Sequence, residues 1–152
     1  MSHAHQLVWH YTVRPKVVEI HPQGVLTPFG KPGQVEAVWF STQQLWEPTA
    51  ACNWLGQRAD GTVEFLDMAA LYRFHGGLFR FGVVPETAPV RWEEYRNLVT
   101  RDVAEAMLEG AIELGADPGC WRASLDPVLQ DRWAAVDRWN GKVWERLGKT
   151  TG

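Results

Sequence analysis

The sequence predicts a single α+β domain over residues 1–152, with a mixed or antiparallel sheet of about five to seven strands, two main helices and a C-terminal β-hairpin. Three observations predict it. Short strand-like runs, LVWHYT, AVWFST and LFRFGVV, are separated by Gly/Pro punctuation without the regular βαβα rhythm or GxGxxG of a doubly wound nucleotide fold. Two amphipathic stretches at helical spacing interrupt them. An Asn-Gly pair lies between two strand-like runs near the end of the chain.

In chain order, residues 1–6 are expected to fray. Leu7–Thr12 reads as a strand with Leu7, Trp9 and Tyr11 on one face and Val8, His10 and Thr12 on the other. Pro15 can open a short helix with Val17, Ile20 and His21 inward, ended by Pro22 and Gly24. GVLTPFGKPG, residues 24–33, is a loop. Ala37–Thr42 is the second strand, its faces Ala37, Trp39, Ser41 and Val38, Phe40, Thr42. Gln43–Gly61 is mostly irregular. From Val63, the residues Phe65, Met68, Ala69 and Tyr72 form a helical stripe that Gly76 and Gly77 stop. Leu78–Val84 is a third strand, closed by Pro85.

The longest helix spans Arg101–Leu114, with Thr100 as N-cap, Asp102 in the first turn and Gly115 as stop. Val103, Met107, Gly110, Ala111 and Leu114 form its predicted buried stripe, and Asp102, Glu105, Glu109 and Glu113 its solvated side. Trp121–Asp126 is a further strand. In the hairpin, a two-residue type I′ turn at Asn140-Gly141 sets Trp139 opposite Lys142, Arg138 opposite Val143, Asp137 opposite Trp144 and Val136 opposite Glu145.

Composition narrows the function classes. A net charge of −3 and a pI of about 5.9 give no basic surface for a nucleic acid, and no apolar run reaches the length of a membrane span. The start, MSHAHQ, lacks the basic and apolar regions of an export signal, so a cytoplasmic location is expected. Cys52 and Cys120 form no metal-ligand spacing and are expected as free thiols, and the HxH of His3 and His5 lies in the fraying end, so no metal is expected. The nine tryptophans and the excess of arginine over lysine suit a ligand site and equally suit a packed core.

His10 poses the functional question. A strand histidine can satisfy both ring nitrogens within a core, or it can serve a site. The sequence WHYT, a short helix, a GVL turn and then WFST resembles the ADP-ribosyltransferase superfamily, in the branch with a His, an aromatic and a Glu, to which the RNA 2′-phosphotransferases are related. The resemblance covers residues 7–42. It implies NAD as substrate, with His10, Tyr11 and Thr12 of the first motif at the ribose, and Trp39 or Phe40, followed by Ser41, at the nicotinamide. A later glutamate would stabilise the developing positive charge. Tyr11 departs from the glycine many members have after the histidine. The acidic residue has three candidates: Glu145, which the hairpin register turns into an apolar set; Asp137, among tryptophans; and Glu47, in WEPT. Glu145 could instead pair with Arg138 across the hairpin. Arg80, mid-strand in LFRFGVV, could clamp a pyrophosphate or face solvent.

Three functions follow as expectations. The first is an enzyme that cleaves the nicotinamide–ribose bond and transfers ADP-ribose to an unknown acceptor. The second is a non-catalytic module that binds a small ligand or a protein. The third is removal of an RNA 2′-phosphate, which the acidic pI disfavours.

Overall fold

The structure is a computed structural model that describes residues 6–147 apart from 14–15, 18–19, 21–22, 52–54, 58–59, 61–62, 66 and 75–76. The expectations for His3, His5, Pro15, His21, Pro22, Cys52, Gly61 and Gly76 lie outside the described residues. The strands are β1 (Val8–Val13), β2 (Val25–Leu26), β3 (Val38–Ser41), β4 (Leu55–Gln57), β5 (Val63–Phe65), β6 (Leu78–Val83), β7 (Val90–Arg91), β8 (Trp121–Ser124), β9 (Val128–Leu129), β10 (Ala135–Trp139) and β11 (Trp144–Arg146). Among the described residues the helices with both ends defined are α1 (Met68–Phe74), α2 (Trp92–Tyr95) and α3 (Arg101–Leu114). Lys16, Val17, Ile20 and Gln23 are also helical.

Seven strands form one sheet in the order β11-β10-β6-β1-β3-β8-β7, and every pairing in it is antiparallel. The expected α+β class is therefore observed, in its antiparallel form. β1 is central and carries bulky side chains at successive positions, so both of its faces are covered. Val8 joins Val38, Phe40, Phe81 and Val136 in a core on one face, against which Val17 and Ile20 pack. Trp9 and Tyr11 pack on the other face with Ala135, Trp46 and Trp144. On that second face α1 covers one end through Leu71, while α2 and α3 cover the other through Tyr95, Ala104 and Ala111.

Gly82 faces Trp9 across the β1–β6 ladder. A Cβ added there would stand 2.6 Å from the indole, so only glycine lets that ring lie flat on β6.

Three expectations require correction. The stretch beginning at Val63 is first a strand, paired with β4, and the helix starts only at Met68. Asp67 caps it by accepting from the Ala70 amide, and Leu71 rather than Ala69 is the buried residue. The hairpin register is also shifted. Trp139 faces Trp144, Arg138 faces Glu145 and Asp137 faces Arg146. The cause is Asn140, whose Oδ1 accepts from both Lys142 N and Val143 N, while the Asn140 amide donates to the Val143 carbonyl. That widens the connection beyond a two-residue turn. Lastly, the stripe Val103, Met107, Gly110 and Leu114 of α3 is only half-buried, and Ala104 and Ala111 make the helix's fully buried contacts.

The caps of α3 match expectation. Thr100 Oγ1 accepts from Val103 N, and Gly115 ends the helix at φ 76°. Asp102, Glu105, Glu109 and Glu113 are exposed. No helix among the described residues is long and apolar enough to cross a membrane.

Candidate functional site

β1 pairs with β6 along all six of its residues, but with β3 through Trp9 opposite Ser41. Upstream of that point the edge of β3 turns away, and Ala37 exchanges two backbone hydrogen bonds with Phe29 of the 24–33 loop instead. The sheet thus opens between β1 and β3. His10 spans the opening, with Nδ1 2.8 Å from the Trp39 carbonyl oxygen.

A carbonyl oxygen can only accept, so this contact assigns the proton of the neutral imidazole to Nδ1 and leaves Nε2 with a lone pair. Nε2 has no hydrogen bond among the described residues, and no buried side-chain nitrogen or oxygen there lacks a partner. It follows that Nε2 reaches solvent. Burial holds the histidine below its usual pKa of 6.5, and the bond to Trp39 opposes this only in part. At neutral pH His10 is an uncharged acceptor on a fixed ring.

Behind the opening lies a cleft of about 1040 Å³, at the upper end of the ~300–1,000 Å³ usual for ligand sites. His10, Val38 and Phe40 line it from one sheet face, and Tyr11, Trp39, Trp121 and Glu47 from the other. Most of the 24–33 loop borders it, as do Lys16, Thr49 and the α3 stripe. The His10 ring meets Phe40 edge to face at 5.9 Å. Trp39 packs on Tyr95 at 4.6 Å and on Trp121 at 5.9 Å.

Glu47 is the carboxylate of this cleft, and it is 7% exposed. Its Oε1 accepts from Ser41 Oγ at 2.9 Å. Its Oε2 accepts from Thr49 N at 3.0 Å, Thr49 Oγ1 at 2.6 Å and Trp121 Nε1 at 3.3 Å. The donors to Oε2 come from the 3₁₀ turn Pro48–Ala51 that follows and from β8. Each oxygen can take about two donors, so among the described residues Oε1 retains acceptor capacity.

The segment before Glu47 is fastened to the sheet by three consecutive carbonyls. Tyr11 Oη donates to Gln43 O at 2.5 Å, Arg80 Nη1 to Gln44 O at 2.5 Å and Trp144 Nε1 to Leu45 O at 2.8 Å. Gln44 itself accepts from Trp9 Nε1 at 3.0 Å. Burial, eased only partly by Arg80, pushes the Tyr11 phenol up to about 12.

The proposed site residues therefore divide. His10, Tyr11, Thr12, Trp39 and Phe40 border the cleft, and Ser41 holds its carboxylate. Arg80 does not border it. It is buried, donates through Nε to Asp137 at 2.8 Å, and lies over Trp9 at 3.7 Å and Trp144 at 4.7 Å. Asp137 also accepts from Arg146 at 2.6 Å, which leaves it part of a buried row across the sheet. Glu145 pairs with Arg138 at 3.5 Å on the edge hairpin; the two-residue shift leaves it on the expected face, but at this edge that face, with Val143 and Leu147, is exposed to solvent. Neither Arg80, Asp137 nor Glu145 belongs to the cleft, and of the three carboxylate candidates Glu47 alone does.

Sequence reasoning missed the contribution of α3 as a cleft wall. Its signal was present in Gly110, an interior helix glycine with no structural duty. Cys120 is a free thiol. Among the described residues no group of His, Cys, Asp and Glu could hold a metal ion. No family model matches the chain, and no curated protein or solved structure matches it.

Proposed function

We propose that the chain is an NAD-binding protein of ADP-ribosyltransferase type, which cleaves the nicotinamide–ribose bond and passes ADP-ribose to an acceptor. One observation carries this reading: His10, the Trp39–Phe40 pair and the carboxylate of Glu47 border a single cleft. The residues have complementary tasks. His10 Nε2 accepts from a ribose hydroxyl. Trp39, half-buried at the cleft, offers a face for the nicotinamide, since Phe40 is enclosed in the core. Glu47, held by four donors, presents Oε1 to the positive charge that develops as the glycosidic bond breaks, a preorganised electrostatic contribution. Lys16 and Lys31 border the same cleft and suit a pyrophosphate. Glu47 takes the acidic role in place of Glu145.

The test is nicotinamide release from NAD, followed by chromatography. Glu47→Gln keeps the shape and removes the charge, and activity should fall by about a hundredfold or more, the usual scale for one preorganised group. Glu145→Gln should match the wild type. Equal activity of the Glu47→Gln and wild-type proteins would overturn the assignment.

One observation favours a second reading, a non-catalytic binding module on the same cleft. Glu47 already caps the Pro48–Ala51 turn, and that structural duty alone could account for its hydrogen bonds. Under this reading a ligand binds at His10 and no nicotinamide is released.

A further inference from the structure

The cleft lining is of two chemistries. His10, Glu47 and Thr49 are polar, whereas Val103, Met107, Gly110 and Leu114 of α3, with Leu26 and Pro28 of the loop, are apolar or without a side chain. Positions 103, 107, 110 and 114 fall on one side of the helix. In a closed core that side would be sealed by large residues. Here it is half-buried and borders open volume.

Gly110 is the unusual member. An interior helix glycine costs about 1 kcal/mol relative to alanine. Its usual reasons are a positive φ or a close approach of another chain segment. Gly110 has neither: it is not among the glycines with positive φ, and a Cβ built on it meets nothing within 4 Å. Its one evident effect is to deepen the apolar wall. At the far side of the loop, Gly33 takes φ 86° and closes on Val103, where an added Cβ would stand 3.1 Å from Cγ2. The loop is thereby seated against α3 at one point and leaves the wall open at Gly110. Lys31 is exposed in the same loop and borders the cleft.

We propose that the α3 wall around Gly110 is a binding subsite for the apolar body of a small amphiphile with an anionic head, the body lying along Met107, Gly110 and Leu114 and the head reaching Lys31. The subsite goes beyond the NAD reading and uses neither His10 nor Glu47, sharing with it only Lys31.

Anilinonaphthalene sulfonate, an apolar aromatic carrying one anionic group, is the probe. Fluorescence titration of the folded wild-type chain should give saturable binding that decanoate displaces. Gly110→Leu fills the wall with a good helix former, so the variant should fold at least as well and bind the probe about tenfold more weakly or worse. Gly110→Ala should fall between the two. If the leucine variant proves unstable, Met107→Phe narrows the same wall and should weaken the probe similarly. Absence of saturable binding by the wild type would overturn the subsite, as would undiminished affinity in the folded variants. Titrating His10→Ala with NAD and with the probe reports on the other reading separately: loss of the NAD response with probe binding retained would show that the subsite stands without the His10 site.

Discussion

His10 combines a fixed ring with an unused acceptor at the cleft, and its titration should be visible in stability. Its folded pKa lies below the unfolded value near 6.5. Between those two values the unfolded chain binds more protons than the folded one, so stability rises with pH there and is lost as pH falls below about 6.5. Thermal unfolding of wild type and His10→Gln from neutral to acidic pH should diverge, with the wild type losing stability more steeply. Parallel curves would contradict a buried, neutral histidine. Glu47 makes the complementary case. Glu47→Ala would leave Ser41, Thr49 and Trp121 without an acceptor in a buried place. Unsatisfied groups of that kind cost about 1–3 kcal/mol each, so a total near 3 kcal/mol is expected in urea unfolding. The sequence named Glu47 as one of three candidates but could not rank it. Its partners Ser41, Thr49 and Trp121 come from three places in the chain, and only the fold brings β8 to β3.

At the scale of elements, the carboxylate depends on the 43–45 segment, and that segment on the row Tyr11, Arg80, Asp137 and Arg146. Arg80 acts as a structural fastener: its guanidinium lies over two indoles and holds both Asp137 and a carbonyl. Arg80→Met breaks a buried pair from one side, and the loss should be about 3 kcal/mol or more by denaturant unfolding. A change under about 1 kcal/mol would mean the row is not held together as described. Gly82→Ala forces the Trp9 ring off β6 and should cost about 2 kcal/mol, measured in the same way. These roles were hidden in the sequence for a physical reason. Period-2 alternation put Arg80 on a face but could not say that the face is covered by Trp9, Trp46 and Trp144. The hairpin shows the same limit. Asn-Gly correctly marked a turn, yet Asn140's side chain competes with the backbone for two amides and moves the register.

For the whole molecule, the main strand-like runs, the caps of α3 and the α+β class were legible, because each rests on local propensity and alternation; that the sheet is wholly antiparallel, rather than mixed, was not. The strand order was not. β1 lies between β6 and β3 only because distant segments pair, and the cleft exists because β1 and β3 part beyond Trp9 and Ser41. The edge that β3 leaves open is met by Phe29 rather than by another strand. A split sheet with the histidine spanning it is therefore the feature that joins the fold to the proposed function. Calorimetric titration with NAD, for wild type and His10→Ala, tests it most directly. If the cleft holds NAD at about 100 μM, then about 5 mM should add about 2 kcal/mol of stability and raise the unfolding midpoint by about 5 °C. The wild type should show both binding heat and this rise, and His10→Ala, still folded, should show neither. Absence of NAD binding by the folded wild type, or equal binding by the two proteins, would contradict the assignment of His10 to a nucleotide site.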